Sequence, residues 1–124
     1  MFVGVLRISL HLSGVGSLKA KRGVVRRVVD RTRSKFNAAV AEVAGNDSLA
    51  QAVIGVAVVG NRAAHVDSML ARVARFVEQM STAPVSRIET EVLPLGDELA
   101  GGPPGLGLDD VGWAGDDGEE DEEW

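Results

Sequence analysis

Phe2-Val3-Gly4-Val5-Leu6-Arg7-Ile8-Ser9-Leu10-His11-Leu12, followed by Ser13-Gly14-Val15-Gly16-Ser17-Leu18, opens the chain and decides its architecture. The first eleven of these residues alternate with period two. Phe2, Leu6, Ile8, Leu10 and Leu12 fall on one face, and Val3, Val5, Arg7, Ser9 and His11 on the other, as in a half-buried strand. Ser13 to Gly16 is turn chemistry, and Ser17 is a good N-cap for a helix. From Leu18 to about Phe36 the periodicity changes: Leu18, Val25, Val28, Val29, Thr32 and Phe36 recur at helical spacing and form one stripe. Gly23 and the two Val-Val pairs lower the intrinsic helix propensity, so packing must hold this helix.

The remainder of the first 96 residues continues the alternation of types. Asn37–Val43 and Val53–Val59 read as strands joined by the turn Ala44-Gly45-Asn46-Asp47-Ser48. Gly60-Asn61 stops the second of them and is expected to cap a helix over about Ala63–Met80. The apolar face of that helix is Val66, Met69, Leu70, Val73, Val77 and Met80. Ala83-Pro84 breaks it, and Val85–Leu95 alternates again, with Ile88, Thr90 and Val92 opposite Arg87, Glu89 and Glu91. The order β-α-β-β-α-β, with right-handed crossovers, predicts an α+β, ferredoxin-like fold. It has a four-stranded antiparallel sheet with both helices on one face.

Composition divides the chain at about residue 96. Residues 1–96 hold all thirteen Lys/Arg against seven acids, a formal net of +6, whereas 97–124 hold eleven acids and no base. The Gly101-Gly102-Pro103-Pro104-Gly105 breaker and the run from Asp116 to Glu123 cannot bury enough apolar surface to offset their ordering entropy, so the tail is expected to be disordered. Trp113 and Trp124 are its sticky points. A basic domain suggests a polyanionic partner, and an acidic tail suggests a segment that competes for that partner or only keeps the chain in solution.

Eight of the bases lie on the first helix. Lys19, Arg22, Arg26 and Arg33 fall within a roughly 60° arc that flanks its apolar stripe. Cations spaced along a rigid element suit phosphate contacts, and the preference for Arg suits bidentate ones. These four are the expected phosphate-binding residues, with Lys21, Arg27 and Arg7 in support. The competing reading is a solvated helix face with no partner. No DNA sequence readout is expected. The outward face of the first strand lacks the stacking aromatics of an RNA-recognition motif, despite the shared element order. Val3 and Val5 on that face suggest a homodimer surface instead.

Other chemistries find little support. Without cysteine there are no disulfides, thiolate nucleophiles or Cys-ligated metals. Gly14-Val15-Gly16-Ser17, with Lys19, matches neither the Walker A pattern nor the dinucleotide fingerprint. His65 and Asp67 are two apart on a helix and point to different faces. No nucleophile-base set or carboxylate pair assembles, and the tail acids do not fit an EF-hand loop. Glu42 reads as an inward or interface charge. A non-enzymatic protein with no metal or cofactor, without a signal peptide or membrane span, and cytoplasmic, is the expectation.

Ser17-Leu18-Lys19-Ala20-Lys21-Arg22, Arg31-x-Arg33, Phe36-Asn37, Val40-Ala41-Glu42-Val43, Asp47 and Ile54–Val59 together form a pattern that resembles the YlxP-like bacterial proteins, a family of unknown function, over about residues 1–95. The resemblance implies a ferredoxin-like fold. Genes of that family tend to neighbour those for translation initiation and ribosome maturation factors, which implies rRNA or a ribosomal subunit as partner. It supplies no catalytic residues. The family pattern often places Trp-Gln after the Asp, where this chain has Leu49-Ala50.

Overall fold

A computed structural model describes residues 1–14, 16–45 and 48–96. The expected tail, with Trp113 and Trp124, and the turn residues Val15, Asn46 and Asp47 lie outside them. Six elements follow in order: β1 (Phe2–His11), α1 (Leu18–Lys35), β2 (Ala39–Ala44), β3 (Gln51–Gly60), α2 (Ala63–Met80) and β4 (Val85–Pro94). The strands form one antiparallel sheet of order β2-β3-β1-β4. Both helices cover the face carrying Leu6, Ile8 and Leu10, so the ferredoxin-like α+β expectation holds.

The period-two reading of β1 is met residue by residue. Leu6, Ile8, Leu10 and Leu12 are buried, while Val5, Arg7 and His11 are exposed. The buried four pack with Ile54, Val56 and Val58 of β3 beneath Val66, Leu70, Val73 and Val77 of α2. Each such fully buried aliphatic side chain contributes about 1.5–3 kcal/mol relative to an exposed one. Gly4 makes the close approach of α2 possible, since a Cβ there would meet Val66 Cγ1 at 2.5 Å and Leu70 Cδ1 at 2.9 Å.

Three local expectations shift. β2 starts at Ala39, because Phe36 leaves the helix extended, its N–H donating to Thr32 O (3.0 Å). β3 starts at Gln51, two residues before the expected Val53, and in the connection Gly45 adopts φ +80°, which an L side chain rarely takes. A bulge at Val43 lets Glu42 face Ile54 while Ala44 faces Val53. At α2 the N-cap position is Arg62, without a side-chain cap bond, so Asn61 is not the cap.

Candidate nucleic-acid interface

α1 is positioned by its apolar stripe and by its first turn. Ser17 sits at the N-cap in extended conformation, and its hydroxyl accepts the Ala20 N–H at 3.1 Å. Val25, Val28 and Val29 are buried. Thr32 joins them at 0% exposure because its hydroxyl donates to Val28 O at 2.7 Å, which leaves its own polar atom satisfied inside the core. At the far end Arg33 and Lys35 occupy the last turn, where cations complement the helix dipole.

Of the expected phosphate-binding residues, Lys19, Arg22 and Arg26 stand exposed along one flank of α1. Arg33 shares that flank and remains exposed. One of its Nη2 protons goes to Val40 O on the edge strand β2, at 2.9 Å, so its guanidinium is pre-oriented rather than free to swing. Arg27 is exposed on a different side of the helix. Arg31 and Lys35 are exposed as well, so α1 presents seven solvent-facing cations. Among the described residues none of the seven is ion-paired. Asp30 is the lone acid on the same helix.

Two expected residues leave the set. Lys21 is 2% exposed, its ammonium folded inward beneath the β2–β3 connection. Its Nζ donates to Gly45 O and, at 2.6 Å, to Ser48 O, and it faces Glu42 Oε2 at 3.5 Å. A cation held by two carbonyls and a carboxylate has no proton to offer a phosphate, so Lys21 is structural. Glu42 is thereby the inward charge that its place in the strand suggested. Arg7 lies on the outer face of the sheet, which is opposite the helices, and pairs with Glu89 (3.7 Å). It cannot extend a contact made by α1.

Val3 and Val5 lie on that outer face, as expected, and the register shows a wider patch. Val3 is flanked by Val59 on β3 and Leu93 on β4, so three strands contribute one apolar row. Val59 is 58% exposed, Val43 56%, Leu93 44% and Val5 38%. The charges collect toward β4, where Glu89 pairs with Arg87 at 3.1 Å and with Arg7 of β1, and Glu91 shares the face.

A depression of about 380 Å³ also opens between the helices. It is lined by Asp30, Arg31, Ser34 and Lys35 of α1 and by Phe76 of α2. Phe36, which the apolar stripe of α1 assigns to the core, and Phe76 are only partly buried at its margin. Their rings meet edge to face at 5.4 Å and 80°. Counting bases along α1 does not reveal this site, since it arises only where the second helix packs. Among the described residues no cluster of metal-ligating side chains occurs, and no helix is long and apolar enough to cross a membrane.

Comparison with known proteins supplies a family and a relative but no activity. The chain is similar to the Uncharacterized protein YlxP of Bacillus subtilis (strain 168), with 29% identity over 76 residues, covering 61% of this chain and 83% of that protein. A family model matches residues 3–90, which span α1, both apolar faces and most of β4. The chain therefore belongs to the family described as Protein of unknown function (DUF503).

Proposed function

We propose that this protein is a non-enzymatic accessory factor that binds RNA phosphates, ribosomal RNA foremost, through the exposed flank of α1. The observation that carries this reading is the row Lys19, Arg22, Arg26 and Arg33 on one flank of α1, with Arg27 in support from another side of the helix. These cations stand on one rigid helix, exposed and without ion-pair partners among the described residues. Uncompensated cations at helical spacing release condensed counterions when they meet a phosphate backbone, and Arg33 is already oriented by β2. With no aromatic on that flank, the contact reads charge and groove shape rather than base sequence. Co-sedimentation with ribosomal subunits across a salt series tests it. Binding that weakens steeply with salt supports the reading, and no binding at low salt contradicts it.

A second reading concerns the opposite side of the sheet. The row Leu93–Val3–Val59, with Val5 and Val43 beside it, supports a homodimer formed face to face. An open sheet carrying such a row is otherwise an aggregation liability. The two readings are compatible, because the helices and the outer face are on opposite sides of the sheet. A dimer of this kind resists high salt, and a monomer at micromolar concentration overturns it.

A further inference from the structure

Both tryptophans of the chain, Trp113 and Trp124, belong to the segment 109–124, which carries nine acids and no Lys or Arg; residues 1–96 contain no tryptophan. We propose that this segment docks into the depression between α1 and α2. One indole packs against Phe76, and the flanking carboxylates meet Arg31 and Lys35.

The chemistry of the depression fits an aromatic residue embedded in acids. Its volume of about 380 Å³ lies within the range of small-ligand sites. The Phe76 ring, braced edge to face by Phe36, supplies an aromatic wall against which an indole packs. Arg31 can lie over that indole as a cation on a π face. Asp30 is the single acid on the rim against Arg31 and Lys35, so the site stays net positive.

Reach and charge direct the segment there. Leu95 N–H donates to Met1 O at 2.7 Å, so the chain leaves β4 at the end of the sheet where β1 begins. α1 runs back along the sheet from the other end of β1, so Lys35 finishes near that same end. By length alone, a random coil of as many residues as 97–124 would have a root-mean-square span of about 30 Å. That exceeds both the three strand spacings, about 14 Å, that separate β4 from β2 and the length of α1, about 27 Å. The outer sheet face is equally near, but there Arg7 and Arg87 are already paired with Glu89, and Glu91 shares the face, so it offers an acidic segment no net positive charge. Tethering raises the local concentration of the segment to about the millimolar range, so modest contacts suffice to seat it. A docked segment would also screen the cations of α1 and so regulate phosphate binding. That consequence rests on the RNA reading; the docking itself does not.

The tryptophans supply their own reporter. Intrinsic fluorescence of the full chain, with quenching by acrylamide, is recorded from low to high NaCl and at several protein concentrations, with no RNA present. Docking gives blue-shifted, quencher-protected emission at low salt that moves to the red as salt screens the contact, independent of protein concentration. The exposed-residue variant Arg31→Glu/Lys35→Glu, checked for unchanged circular dichroism, emits in the red already at low salt, while Leu93→Glu keeps the wild-type spectrum. Red, fully quenched emission from the wild type at low salt overturns the proposal. So does blue emission released by Leu93→Glu rather than by the helix variant, or emission that shifts with protein concentration.

Discussion

Lys21 and Glu42 face each other at 3.5 Å between α1 and β2, with side chains 3% and 21% exposed. The same ammonium donates to the carbonyls of Gly45 and Ser48, twenty-four and twenty-seven residues further along the chain. One lysine thus ties the first turns of the helix to the β2–β3 connection. Glu42 Oε2 is buried and accepts no hydrogen bond among the described residues, so the facing charge of Lys21 is what compensates it.

Removing the cation leaves a buried carboxylate oxygen and two carbonyls without their partner. Lys21→Met is expected to cost about 3 kcal/mol or more, measured by urea denaturation. Adding Glu42→Leu to it should recover part of that stability, because an apolar pair needs no compensation. An unchanged denaturation midpoint in the single variant would show that the tie contributes nothing.

The close approach of Gly4 to α2 makes a second stability test. A Cβ at Gly4 lies 2.5 Å from Val66 Cγ1, and two branched side chains in a filled core have little room to yield. Gly4→Ala should cost about 1–3 kcal/mol through overpacking. A variant as stable as the parent would mean that α2 slides freely over the sheet.

The outer face calls for an oligomer measurement. Val59→Glu or Leu93→Glu places a charge in the row that crosses three strands, and either should convert a dimer to a monomer in sedimentation equilibrium. Each side chain is about half exposed, so the monomer's own stability should change by less than about 0.5 kcal/mol. A parent protein that is already monomeric removes the face-to-face reading.

Much of this structure is legible in the sequence. The alternation in Phe2–Leu12, the Ser17 cap and the 3.6-residue spacing from Val66 to Val77 are local signals, and local geometry obeys them. Arg7 is assignable in the same way: alternation puts it beside Val5 on the outer face, which takes it away from α1. Lys21 is the instructive case. At 100° per residue it falls among Val25, Val28 and Thr32, inside the buried stripe, yet its charge argues for solvent. What resolves the conflict is a pair of backbone carbonyls from a distant hairpin, which helical spacing does not encode. The Arg31–Phe76 depression is hidden for the same reason, since it exists only where two helices separated by two strands come together. The three-strand row around Val3 likewise needs the register, which period-two alternation alone leaves open.

Whether the exposed flank of α1 binds phosphate is the central question. The direct measurement is the slope of log affinity against log salt for a helical rRNA fragment, comparing the parent with Arg22→Glu/Arg26→Glu. Both residues are exposed, so the fold should be unaffected. Weaker binding by the variant is expected at every salt concentration, with a slope shallower by about 0.9 for each phosphate it no longer neutralises. Equal affinity and equal slope for the two proteins would contradict a phosphate-binding role for this flank.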